Sequence, residues 1–335
     1  MIITKTPFRM SFFGGGTDIE EYFMENGGAV ISTTIDKYCY VTVRHLPRFF
    51  EYKTHLTYSK TEYVNEYSQI EHPAIREAMK MLDMHEIRLT YESDLPARSG
   101  LGTSSSFAVG MLNAFYAIKG QYADKKKLAD EAIYLERVLC GEYGGWQDQI
   151  AASFGGLNRI NFHSDRYEVL PIIISPERKK ELNNNLLMFF TGFVRFSSDV
   201  QKANKENAYS DKNAKLKKMY DLVNDAEQVL VNTGRSLDDF GELLDASWQL
   251  KRKTSRVIST DSIDTLYQKG IEAGAIGGKL LGAGGGGFLI FYVRPEKQEA
   301  VKKAMNDLLY IPFKFEEGGT QVIHYTPEMY EPIGE

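Results

Sequence analysis

Residues 107–118 (FAVGMLNAFYAI) are apolar nearly all round, and a helix of that composition has to be covered on several sides at once. Only a layered chain with a substantial core can do this. The 335 residues suffice for one large core or two packed domains of ordinary size, and 43% hydrophobic with 25% charged residues is the balance of a folded enzyme. The segment just before the helix is equally restrictive. Residues 96–106 read PARSGLGTSSS, glycines followed by four consecutive hydroxyl residues. Glycine lets the backbone approach phosphate oxygens, and the first-turn amides of a helix carry about half a positive charge towards them. A hydroxyl there can also ligate a divalent ion. The plainer alternative is a Ser/Thr N-cap after a flexible loop.

Several function classes fall away early. Cys39 and Cys140 are too few and too isolated for a disulfide framework or a zinc site, which fits a reducing compartment. The opening MIITKTP puts Lys5 and Pro7 where a signal peptide needs an unbroken apolar run. Apolar runs such as 186–190 are far shorter than the roughly 20 residues of a membrane helix. A cytoplasmic location and no membrane partner are therefore expected. A formal net charge of -5 gives no general attraction for nucleic acid. The six histidines form no H-E-x-x-H pair and no G-x-S-x-G elbow occurs, so zinc and serine hydrolases are excluded.

Strand character is expected at 1–13, 29–34, 38–44 and 87–91, with a helix over 73–84 between them. A helix over 125–140 has Asp124 as its N-cap and Gly141 as its stop. Another helix begins at 146–153, and a strand pair at 156–162 and 166–174 closes the first unit. This divides the chain into 1–175 and 176–335. The second part reads as a strand at 186–190, a polar helical region at 198–231, and helices at 237–253 and 262–273. A glycine loop at 282–287, a strand at 288–293 and a helix with Pro295 in its first turn follow. The mixed order without internal repeats implies two α+β domains with a cleft between them.

The glycine loop, within KLLGAGGGGF at 279–288, has G-x-G-x-x-G spacing at Gly282, Gly284 and Gly287. A dinucleotide fold needs a strand before such glycines and a helix after them, whereas here a helix is expected before and a strand after. No P-loop is completed either, because no Ser or Thr follows Lys279. Near the N-terminus, PFRMSFFGGGTD at 7–18 places Arg9 and Asp18 on either side of a glycine turn. Alone, these would be ordinary surface charges.

In this order and at these separations, the three segments resemble the GHMP superfamily of small-molecule kinases, which includes galactokinase, homoserine kinase, mevalonate kinase and phosphomevalonate kinase. The resemblance spans nearly the whole chain. The first segment matches the galactokinase register from Arg9 to Gly14 and again at Thr17 and Asp18. It departs at Gly15 and Gly16, where galactokinase-like sequences carry an acid and a histidine that touch the sugar. The pocket is thereby enlarged and two hydrogen-bonding groups are lost, which favours another sugar. The GGGTD version, with 99–106 and the TGFVRFS of 191–197, looks like the heptose kinase branch, and L-fucose kinase domains share much of this pattern.

The resemblance implies a two-domain GHMP kinase fold, with a ribosomal protein S5 domain 2-like N-terminal domain, a ferredoxin-like C-terminal domain and the active site in the cleft. It implies ATP and Mg²⁺. The ATP phosphates would lie on Gly100, Leu101, Gly102, Thr103, Ser104 and Ser105, and Mg²⁺ on Ser104 and Glu136. Glu136 would otherwise be a surface acid paired along its helix. Asp148 would be general base or a fixed orienting charge, and otherwise a helix cap. Arg9, always protonated, would stabilise charge developing on the hydroxyl or γ-phosphate. Thr17, Asp18, Arg98, Arg195, Gly284 and Gly285 would contact substrate, with Arg98 and Arg195 either forks for a substrate phosphate or structural ion pairs. The implied reaction is phosphorylation of the anomeric hydroxyl of D-glycero-D-manno-heptose 7-phosphate to the 1,7-bisphosphate. Fucose kinase or another sugar-1-kinase is the alternative, and a non-catalytic sugar sensor the alternative of another class. The implied partners are a sugar phosphate and ATP, and a homodimer is left open.

Overall fold

The computed structural model describes residues 1–97, 99–192, 209–254 and 258–327. The N-terminal part runs β1 (Ile2–Phe13), α1 (Glu20–Asn26), β2 (Gly28–His45), β3 (Thr54–Thr57), β4 (Thr61–Val64), α2 (Pro73–Met81) and β5 (Ile87–Ser93). It continues with α3 (Thr103–Ile118), α4 (Lys125–Tyr134), a π-helical turn (Leu135–Leu139), α5 (Gln147–Phe154), β6 (Asn158–Phe162) and β7 (Tyr167–Pro171). Then come α6 (Pro176–Asn184), β8 (Leu186–Phe190), α7 (Tyr209–Val231), α8 (Asp238–Arg252) and α9 (Asp261–Glu272). The chain ends with β9 (Gly277–Leu280), β10 (Phe288–Tyr292), α10 (Gln298–Ala304), β11 (Leu309–Tyr310), β12 (Phe315–Glu316) and β13 (Gln321–Tyr325).

Among the described residues the strands form two sheets. The nine-stranded sheet follows β13-β1-β2-β5-β3-β4, with β6 and β12 joined to it along β2 and β7 paired to β6. The four-stranded sheet is ordered β11-β8-β10-β9. Pairing is antiparallel except between β3 and β5, as befits an α+β arrangement. The two strands expected at 29–34 and 38–44 are one 18-residue strand, β2. Asp36 and Lys37, polar enough to read as a turn, are absorbed where the β1–β2 register shifts from Pro7 opposite Tyr38 to Phe8 opposite Ile35.

α3 is buried along nearly its whole length, as its composition requires. One apolar cluster joins the layers, with Phe8, Met10 and Phe12 of β1 packed with Met188 of β8, Ile290 of β10, Val223 of α7 and Leu244 of α8. The cleft therefore opens between parts of a continuous core. The boundary expected near 175 falls between β7 and α6. However, β12 and β13 return to pair with β2 and β1, so the C-terminal segment is shared with the first sheet. A strand, β9, precedes the glycine loop instead of the expected helix, because residues 277–280 pair with β10 as a hairpin. A dinucleotide reading stays excluded, since β10 and not a helix follows. No described helix is long and apolar enough to cross a membrane.

Candidate active site

The register shift in β1 decides which side chains enter the cleft. Before it, Thr4 and Thr6 face α3, and the Thr4 hydroxyl donates to the Gly110 carbonyl (2.9 Å). Past it, the odd residues Arg9 and Ser11 line the cleft while Phe8, Met10 and Phe12 turn into the core. Arg9 is 5% exposed. Its Nε and Nη2 donate to the two carboxylate oxygens of Asp148 (2.7 and 2.8 Å), and its Nη1 donates to the Gly100 carbonyl (2.6 Å). The fork expected to reach towards substrate is thus turned on protein groups, because a planar guanidinium matches a carboxylate edge in two parallel bonds. Asp148, in the first turn of α5, is held but still reaches the cleft.

Gly102, with φ of 70°, is the N-cap of α3 and supplies no side-chain cap. Gly100, Gly102, Thr103, Ser104 and Ser105 all line the cleft, whereas Leu101 is buried and gives its carbonyl to the Arg9 amide (3.1 Å). Over this helix end lies Glu136, 1% exposed and therefore not the surface acid of the alternative reading. Its carboxylate accepts from Ser104 Oγ (3.1 Å), Ser105 Oγ (2.7 Å) and Gln149 Nε2. The sequence expects one α-helix through residue 140. Instead α4, capped by Asp124 accepting from the Lys127 amide (2.7 Å), widens into the π-helical turn that carries Glu136. π-bulges are frequent at functional sites because they redirect one side chain. Among the described residues no cation pairs with this buried carboxylate, and no cluster of three or more His, Cys, Asp or Glu forms a complete metal cage.

Asp18 is 3% exposed, and its carboxylate accepts from the amides of Gly16 (2.8 Å) and Gln147 (3.3 Å). Burial raises its pKa above the usual aspartate range and the Asp148 charge adds to this, while the two amides pull the other way. The close approach depends on Gly145, where a Cβ would sit 1.8 Å from Asp18 Oδ2. Gly145→Ala is therefore expected to displace the carboxylate, costing about 1–3 kcal/mol in urea denaturation, and to raise the sugar KM.

The expectation for Thr17 does not hold in the structure. It is fully buried, donates to the carbonyls of Gly14 and Ala29, and accepts from the Ala29 amide, so it closes the glycine turn and does not line the cleft. Gly284 lines the cleft, but Gly285 does not, because its amide is spent on the Ile258 carbonyl (2.9 Å). Arg98 and Arg195 lie outside the described residues.

Three cleft residues escaped the sequence reading. Ser11 and Gln147 are 6% and 8% exposed, and among the described residues Ser11 Oγ and Gln147 Oε1 have no hydrogen-bond partner. They flank Gly15, where a Cβ would stand 3.8 Å from Gln147 Nε2 and 3.9 Å from Ser11 Oγ, so the missing side chain leaves room between two polar side chains. Only the period-2 relation of Ser11 to Arg9 could have pointed to it. The third, Lys251 in the last turn of α8, donates to the Gly282 carbonyl. Burial pushes its pKa down to about 8, helped by the Arg9 charge and opposed by Asp18 and Asp148.

Residues 63–156 match the GHMP kinases N terminal domain and residues 226–311 the GHMP kinases C terminal domain. A D-glycero-alpha-D-manno-heptose 7-phosphate kinase of Campylobacter jejuni is 30% identical over 98% of this chain and 97% of its own. The crystal structure of a D-glycero-D-manno-heptose 1-phosphate kinase from Bacteroides thetaiotaomicron superposes with a TM-score of 0.77 at 25% identity, covering 99% of this chain and 100% of that one. A bifunctional fucokinase/GDP-fucose pyrophosphorylase of Arabidopsis thaliana is 29% identical over 64% of this chain but only 21% of its own.

Proposed function

The chain belongs to the GHMP kinases and transfers phosphate to a sugar hydroxyl, and from that premise we propose that its substrate is D-glycero-D-manno-heptose 7-phosphate, phosphorylated at the anomeric hydroxyl. The observation that carries this reading is the end-to-end match to the Campylobacter jejuni kinase named for that sugar phosphate. The space at Gly15 between the polar side chains of Ser11 and Gln147 supports a polyhydroxylated substrate larger than galactose. Arg98 and Arg195 are proposed to hold the substrate's own phosphate. A fucose kinase, favoured by the match to the plant fucokinase, would give those two arginines no partner. Convergence of Arg9, Ser104, Glu136 and Asp148 on one cleft favours catalysis over a sugar sensor.

ATP is proposed to lay its phosphates along Gly100, Gly102 and the first turn of α3, where amides without intrahelical partners and the helix dipole favour anions. Mg²⁺ fits at Ser104 and Glu136, a buried carboxylate without a cation, and would neutralise charge on the transferring phosphates. Asp148 orients the attacking hydroxyl and takes up its proton, and Arg9 holds Asp148 against the loop through Gly100. Asp18, Ser11 and Gln147 bind the sugar hydroxyls.

The test is to incubate the protein with ATP, Mg²⁺ and a panel of heptose 7-phosphate, heptose 1-phosphate, free heptose, fucose, galactose and mannose, following ADP release and identifying the product by phosphorus NMR. Preference for fucose, or a product phosphorylated away from the anomeric carbon, would overturn the assignment. Gln147→Leu is expected to raise the sugar KM about tenfold, with the ATP KM unchanged, because one neutral hydrogen bond to the sugar is lost. Titrating each substrate at saturating levels of the other checks this.

A further inference from the structure

Lys251 sits where the two halves of the reaction meet. Its ammonium donates to the Gly282 carbonyl, and Gly282 packs so tightly on the phosphate loop that a Cβ there would lie 2.3 Å from the Gly100 Cα. From this junction Lys251 interacts through space with Asp18 and Asp148 on the sugar side. An ammonium has three N–H donors, so two are left after the bond to Gly282. Among the described residues, no carboxylate forms an ion pair with Lys251. The neighbouring cations are committed elsewhere. Arg9 is engaged by Asp148 and Gly100, and the buried Lys279 of β9 donates to the carbonyls of Ser11 and Phe12 (2.9 and 2.7 Å).

We propose that Lys251 is a catalytic cation of this kinase, its ammonium contacting the γ-phosphoryl oxygens of ATP as the group passes from the phosphate loop to the sugar. This rests on the placement of ATP and sugar proposed above. In the transfer, the sugar oxygen forms a bond to Pγ and the bond from Pγ to the bridging oxygen breaks with its electron pair going to ADP. The hydroxyl proton leaves by way of Asp148. The moving group is anionic and has to come beside the Asp148 carboxylate, so a positive charge at this junction offsets a repulsion that grows along the reaction path. The substrate's own phosphate has no reason to sit between Asp18 and Asp148, whose charges repel it. The role that the resemblance implies for Arg9 is in this way divided, with Arg9 positioning Asp148 and Lys251 meeting the phosphoryl group.

A protonated Lys251 is required, and with its pKa near 8 in the free protein the charge is lost as pH rises through that value. The charged groups facing it from the packed elements are Arg9 of β1, Asp18 of the following turn, Asp148 of α5 and Lys279 of β9. Lys215 of α7, whose Nζ donates to the Lys253 carbonyl (2.8 Å), lies one turn end away.

The experiment compares wild type, Lys251→Met and Lys251→Arg with the best sugar of the panel, after establishing that their unfolding midpoints agree; Lys251→Gln replaces the Met variant if that one is unfolded. Lys251→Met should lower kcat about a hundredfold while the sugar KM stays within about threefold. The wild-type kcat/KM for ATP should fall above about pH 8, and Lys251→Arg should recover part of kcat and lose that alkaline limb, because a guanidinium stays charged. A kcat within about threefold of wild type, a defect confined to the sugar KM, or an alkaline limb unchanged in Lys251→Arg would each overturn the inference. Failure of the wild type to turn over any sugar would instead strike the substrate reading, before Lys251 is in question.

Discussion

Asp148→Asn is expected to lower kcat about a thousandfold with little change in the ATP KM. The amide keeps the shape of the carboxylate but loses its charge and one of its two acceptors. Arg9 donates to both oxygens, so the substitution also loosens the guanidinium that ties Asp148 to Gly100. In the arrangement proposed above ATP rests on the loop and the first turn of α3 and not on Asp148, which is why its binding should be spared. Pre-steady-state and steady-state measurement of ADP formation, with product confirmed by phosphorus NMR, checks the outcome. Near-normal turnover would remove Asp148 from the chemistry.

Glu136→Gln is expected to reduce kcat/KM by about two to three orders of magnitude and to move the Mg²⁺ concentration for half-maximal activity upward, because the divalent ion proposed at Ser104 and Glu136 would lose that carboxylate. The same change should not lower the thermal midpoint of the metal-free protein. Among the described residues the carboxylate, 1% exposed, accepts only from the neutral groups Ser104, Ser105 and Gln149, so glutamine forfeits no ion pair and retains the hydrogen-bonding shape. A large loss of metal-free stability with unchanged Mg²⁺ dependence would assign Glu136 a structural role instead. Calorimetry without metal and activity titrations with Mg²⁺ separate the two results.

Much of the arrangement was legible before any coordinates. The strand 186–190, the Asp124 cap and the apolar helix after Ser106 follow from local periodicity and capping chemistry, and the structure contains each of them. The glycine loops declare themselves because few other uses explain so many glycines beside hydroxyl residues. Thr17 and Gly285 were misplaced for a reason of the same kind. A motif groups neighbours in sequence, but the hydroxyl of Thr17 and the amide of Gly285 are spent inside the protein while Asp18 and Gly284 line the cleft. Apart from the period-2 relation of Ser11 to Arg9, Ser11, Gln147 and Lys251 carry no local signal, since a serine in a strand, a glutamine opening a helix and a lysine ending one are ordinary residues.

The sequence by itself determined the family and most of the elements, since these depend on residues close together in the chain, while β9, the unbroken β2 and the π-helical turn depend on pairing and packing with distant segments. The tertiary structure decided which of those residues meet. A register shift between β1 and β2 sends Arg9 and Ser11 to the cleft, a π-helical turn sets Glu136 over Ser104 and Ser105, and α8 delivers Lys251 to Gly282. Each of these depends on pairing or burial against a distant segment, and such energies leave no trace in the spacing of neighbouring side chains.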